Sequence, residues 1–173
     1  MSTQTHPNRC ARRMVVLHHR VGAASRRWID PSQSVVIDDH FDWMFEIDPG
    51  GLLTVATAVS INRSSVTAAD WIRADWLPDH RRRYLDYQGE IGGDRGTVQR
   101  IASAAIVDVV ICQSDEATLL RFDLAGWHSR RLPTIVSIEV RFTNDASLDH
   151  ADHCHRDSVR TAVRLRGWNE TNS

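Results

Sequence analysis

Apolar positions along this chain alternate with polar ones in short runs, and few segments show the three-to-four spacing of a helix. RMVVLHHR (13–20) reads as a first strand, followed by a loop, VGAASRRWIDPSQS, and renewed extended structure at SVVI. In HFDWMFEI (40–47), Phe41, Trp43, Phe45 and Ile47 share one parity and His40, Asp42, Met44 and Glu46 the other, the two faces of a strand. Pro49, Gly50 and Gly51 predict a turn, and LLTVATAVSI, rich in β-branched residues, predicts the antiparallel return strand. SSVTAADWIRADWLPDHRRRYLDYQG offers Ser or Thr as a helix cap and Pro78 as a stop, and predicts one short helix. Beyond Gly92 and Gly93, the runs GTVQRI, AAIVDVVIC, TLLRFDLAG, TIVSIEVRF and SVRTAVRLRG are again strand-like.

Eight or so strands with little helix suggest a barrel or a sandwich. The expected fold is mainly β: a single antiparallel β-barrel of about eight strands with one or two short helices. Its core is placed at residues 13–145, after a polar leader (1–12) and before a polar loop, a last strand and a tail (146–173).

Composition narrows the class without naming a partner. At 173 residues and 42% hydrophobic, the chain can bury one good core. It contains no lysine, so all 21 basic side chains are arginines, each a permanent charge with a planar fork suited to phosphate or carboxylate. Genomic base composition is the plainer explanation of such a bias, and 22 acidic residues bring the net charge to −1, so charge alone does not predict nucleic acid. Cys10, Cys112 and Cys154 lack a paired spacing, and no apolar leader follows MSTQTHPNRC, which suggests free thiols in a cytoplasmic protein. No apolar stretch approaches the ~20 residues of a membrane-spanning helix, and no membrane partner is expected.

The chemistry gathers in two places. Residues two apart on a strand lie on one face about 6.5–7 Å apart, so His40 and Asp42 can converge on one ion. A solvated strand face is the plainer reading of the same pair. A third ligand can come from the end of the first strand, where one of His18 and His19 must point to each face. The second place is DHRRRYLDYQGEIGGDRG (79–96), where His80 and Tyr84 can present a proton-transferring and a hydrogen-bonding group to one ligand, or simply belong to a charged loop. His150, His153, Cys154 and His155 are also metal-ligand types, in a stretch that reads as a polar loop.

In order, VVLHHR, HFDWMFE, DHRRRYLDYQGEIGGDRGTV and LLRFDLAG resemble the 3′-phosphoesterase domain of bacterial DNA ligase D and its free-standing relatives, over about Met14 to Phe142. The resemblance implies a β-barrel whose interior crevice holds Mn2+, or another divalent transition metal, between His19, His40 and Asp42. It selects His19 over His18, and it places His80 and Tyr84 on the phosphate side as catalytic residues. The implied activity is removal of a 3′-terminal ribonucleoside and then of the 3′-phosphate, in DNA repair. The implied partners are DNA or RNA/DNA primer 3′ ends and the repair ligase machinery. Two positions depart from the pattern. Met44 stands where the resemblance expects a phosphate-contacting arginine, so one of Arg81, Arg82 or Arg83 is the expected substitute. Twenty residues separate His19 from His40, read as an insertion within the region 20–43. Met44 also motivates the alternative: a catalytically weakened or inactive module of the same fold that binds nucleic-acid ends.

Overall fold

In the computed structural model, which describes residues 12–23, 38–47, 51–61, 70–77, 80–144 and 159–167, the alternating runs form nine strands. These are β1 (Arg12–Val21), β2 (His40–Ile47), β3 (Gly51–Ala58), β4 (Ile72–Trp76), β5 (Gly89–Ile91), β6 (Gly96–Gln113), β7 (Ala117–Ser129), β8 (Ile135–Asn144) and β9 (Val159–Gly167). Eight of them close into an antiparallel barrel in the order β1-β2-β3-β4-β9-β8-β7-β6, with β6 paired back to β1, as the alternation predicted. β5 adds to the outer edge of β6.

GTVQRI and AAIVDVVIC belong to one strand rather than two. β6 runs for 18 residues, pairing with β1 from Gly96 to Ile106 and with β7 from Ala102 to Gln113. This overlap closes the ring, and register shifts at Val16/Leu17 on β1 and after Ser103 on β6 bend the seam.

The helix expected after residue 64 is replaced in part by strand. Ile72–Trp76 pairs with β3 and β9, because Ile72 and Ala74 face the core while Trp71, Arg73 and Asp75 face outward, a period of two too short to stand out in the sequence. The outward Trp71 ring is covered by the guanidinium groups of Arg141 and Arg164, at 4.3 and 4.5 Å. What remains helical in the described part of that stretch is a single 3₁₀ turn, Arg82–Leu85. The loop cluster His150–His155 lies outside the described residues. Among the described residues no helix is long and apolar enough to cross a membrane, and Cys112 is an exposed free thiol.

Each of the eight barrel strands contributes to one large apolar core. It includes Met14, Val16, Phe41, Trp43, Phe45, Val55, Ala74, Val163, Ile138, Phe122 and Ile106, so this face of each strand is the barrel interior. Phe45 stacks on Phe122 across it, with centroids 4.3 Å apart. At ~1.5–3 kcal/mol per buried large apolar side chain, this interior supplies most of the drive to fold. A second, smaller cluster of Val15, Leu17, Met44, Leu85 and Val98, with Tyr84 and Ile91 packed against it, forms on the outer face of β1, β2 and β6. The segment 80–95 folds over that face as a roof.

Candidate metal centre

The roof is held down by polar contacts at several points. Arg82 bonds the buried carboxylate of Glu46 on β2 (Nε to Oε1, 2.8 Å), which also accepts the backbone N–H of Arg13 (2.8 Å). Arg13 reaches Asp86 at 2.9 Å, and Arg100 donates to the Leu85 carbonyl. At the far end, the turn between β5 and β6 lies flush against the end of β1. The Gly22 N–H donates to the Arg95 carbonyl at 3.1 Å. A side chain on Gly22 or Gly96 would overlap the facing backbone, and Gly96 has a φ of +107°, so both positions need glycine.

Beneath the roof, His19, His40 and Asp42 converge as the resemblance expected, with one potential ligand atom from each within 4.8 Å of the others. Antiparallel pairing is the reason: His19 sits opposite His40 in the β1–β2 register, and Asp42 lies two residues along on the same face. The solvated-face reading of β2 does not hold, since His40 and Asp42 are each only 2% exposed. The triad also lies outside the barrel wall, under the roof, and not in the interior crevice that the resemblance implied. The parity of β2 decides this, because Phe41, Trp43 and Phe45 take the interior. His18, on the other face of β1, packs edge-on to Phe41 at 5.6 Å and faces Arg131, whose Nη1 lies 2.9 Å from its Nδ1.

Two backbone carbonyls decide the protons. His40 Nδ1 lies 2.7 Å from the Asp38 carbonyl and His19 Nε2 3.0 Å from the Arg95 carbonyl. A carbonyl only accepts, so each of these nitrogens carries the hydrogen, and in the neutral rings His40 Nε2 and His19 Nδ1 present lone pairs. Those lone pairs face each other at 3.1 Å. Asp42 adds its carboxylate, with Oδ1 3.2 Å from His40 Nε2 and Oδ2 3.8 Å from His19 Nδ1. Asp42 Oδ1 is buried and has no hydrogen-bond partner.

The result is a cluster of acceptors with no donor among them, which a proton, a cation or a donor from outside the triad completes. Burial opposes charge on His40, but the Asp42 carboxylate more than offsets it and raises the pKa of that ring. His19 moves the other way, because burial outweighs the help from Asp42. Ligands that share one ion at ~2.0–2.2 Å stand ~3–4 Å apart, and the observed separations fall in that range. The donor set, two imidazoles and one carboxylate, fits Zn2+, Mn2+ and neighbouring divalent metals, with coordination positions left open.

The triad borders a cavity of about 210 Å³ whose apolar wall is Leu17, Met44, Leu77, Ile91 and Val98, and which His80, Tyr84 and Arg95 also line. His80 and Tyr84 thus arrive at the same cavity as the triad, with ring centroids 5.7 Å apart, and His80 Nδ1 is buried without a partner. The arginines expected to substitute at Met44 do not line it. Arg81 is exposed, Arg82 is bound to Glu46, and Arg83 lies over the Tyr84 ring at 5.4 Å. Met44 itself is buried in the outer apolar cluster.

No family model, curated protein or solved structure matches this chain.

Sequence reasoning missed Arg95, Glu46 and Asp38. Arg95 stands in the Gly-rich turn GGDRG, beside the motif that drew attention, but only the β1–β6 pairing shows that this turn meets His19. Glu46 had a visible signal, being a carboxylate on the ligand parity of β2. The part played by Asp38 is a backbone carbonyl, which no side-chain pattern reports.

Proposed function

We propose that this protein is a divalent-metal-dependent phosphoesterase that processes nucleic-acid 3′ ends, removing a 3′-terminal ribonucleoside and a 3′-phosphate in DNA repair. The observation that carries the reading is the triad of half-buried His19 and buried His40 and Asp42, opening onto a cavity shared with His80 and Tyr84. The ordered motifs of the sequence add the choice of reaction, and Mn2+ is the proposed metal. When bound, the ion supplies Lewis-acid stabilisation of charge on the phosphate oxygens.

The chain's own residues then have separable tasks. The Asp38 and Arg95 carbonyls hold both imidazoles in the tautomer that ligates. Tyr84 offers a hydroxyl to orient a phosphate oxygen. His80, with a ring nitrogen uncommitted to the protein, can pass a proton to the departing oxygen. The apolar wall keeps water sparse, which strengthens each of these interactions. At about 210 Å³ the cavity is below the ~300–1,000 Å³ that encloses a whole small molecule, so it suits a terminal phosphate presented from outside.

The test is to incubate purified protein, with and without Mn2+, with primers ending in a ribonucleotide or a 3′-phosphate, and to resolve the products. A folded sample with no metal-dependent product sinks the reading. The second reading, a module that binds such ends without turnover, is favoured by the burial of Met44 where the strand would otherwise carry a guanidinium. Metal-dependent binding of a 3′-phosphorylated primer with no product supports it.

A further inference from the structure

We propose that Arg95 is the phosphate-binding residue of this site, supplying from the β5–β6 turn the cationic fork that β2 does not carry. This rests on the reading of the cavity as a phosphate site. Among the residues lining the cavity, Arg95 is the one whose side chain is cationic at every physiological pH. Nearby guanidinium groups are engaged away from it: Arg82 with Glu46, Arg13 with Asp86, and Arg100 with the Leu85 carbonyl.

Arg95 is held in place by several contacts. Its Nε donates to the Gly92 carbonyl at 2.9 Å, which curls the side chain within its own turn. Its carbonyl accepts from Gly22 N–H at 3.1 Å and faces His19 Nε2 at 3.0 Å, which ties the backbone of the turn to β1. One residue therefore orients an imidazole of the triad through its backbone and is among those that line the adjoining cavity. The electrostatic need is plain. A divalent ion beside one carboxylate leaves a single net positive charge, whereas a terminal phosphate carries nearly two negative charges at neutral pH. A guanidinium across the cavity balances the remainder and donates parallel hydrogen bonds to two oxygens.

The experiment compares the full chain with Arg95→Ala and Arg95→Lys. Mn2+ affinity is read from the electron paramagnetic resonance of free Mn2+. Inorganic phosphate binding is read from Mn2+-dependent broadening of its phosphorus NMR line, and turnover from the primer assay. Because the contact to His19 is made by the backbone, Mn2+ affinity should be unchanged in Arg95→Ala. Phosphate affinity should fall about 10- to 100-fold, the loss of a hydrogen bond to a charged group, with partial recovery in Arg95→Lys. Unchanged phosphate affinity in Arg95→Ala overturns the proposal, as does wild-type protein that binds Mn2+ but no phosphate. Wild-type protein that binds phosphate through Arg95 yet makes no product upholds it and refutes the phosphoesterase reading alone.

Discussion

On β2, Phe41, Trp43 and Phe45 turn one way and His40, Asp42 and Met44 the other, and all six residues are 2% exposed or less. Burial therefore does not distinguish the two faces. The inward face is chemically complete: its rings pack on one another, and its one polar hydrogen, the Trp43 indole N–H, is donated to the Thr57 hydroxyl at 2.9 Å. The outward face is just as dry but unfinished, with two imidazole lone pairs and a carboxylate oxygen directed at one another. A strand that serves only folding has no use for that arrangement, since each unpaired buried acceptor costs about 1–3 kcal/mol. The contrast is thus a guide to function: the face that folding leaves incomplete is the one at which we propose a metal.

The contrast can be broken most severely from the inward side. Trp43→Ala should destabilise the barrel by ~3–5 kcal/mol and leave little folded protein, measured by urea unfolding. If it costs no more than a surface substitution, the assignment of that face to the interior is wrong. Met44→Arg comes next. The resemblance makes arginine the restoring residue, but here the side chain would enter a cluster of Val15, Leu17, Leu85 and Val98. A loss of ~3 kcal/mol or more in the same measurement is expected, with no gain in activity.

Asp42→Asn sharpens the comparison, because it should act in opposite directions with and without metal. In metal-free protein at alkaline pH, an amide places a donor among acceptors and should raise stability by about 1 kcal/mol. With Mn2+ at ~100 times its Kd, wild type should gain ~2.7 kcal/mol by mass action and the variant far less. Equal metal responses in thermal melts would remove Asp42 from the ligand set.

The smallest effect belongs to the exposed pair that pins the roof, Arg13 and Asp86. The hydrogen bond from Arg13 holds the Asp86 carboxyl below its ordinary pKa. Any stability it lends is present above the ordinary carboxylate value and is lost as the pH falls through the lowered one. Asp86→Asn should remove that acid-side slope and leave melting at neutral pH unchanged within error.

How much of this was legible beforehand follows from how local each feature is. The two faces of β2 are visible in HFDWMFEI, because successive side chains alternate by covalent geometry alone. The mainly-β class follows from the same alternation repeated, but the strand count does not, since two of the runs are one strand and β4 lies in a stretch that reads as helix. Strand spacing made His40, Asp42 and one of His18 and His19 candidates, and motif order made the choice; their meeting in one cavity is a consequence of the β1–β2 register and the folded-down segment 80–95. β4 was misread as helix because five residues, Ile72 to Trp76, carry too little period to separate strand from helix.

What the sequence alone determined is thus the alternation, and with it which residues share a face. It did not say which face would be the interior, since both are buried and only closure of β6 onto β1 makes one of them the inside. It also could not say which nitrogen of each imidazole is bare, or that Arg95, 76 positions from His19, would stand beside it. Those outcomes depend on pairings between distant segments and on backbone carbonyls that every residue carries alike. A pattern of side chains holds no trace of them until the chain has closed.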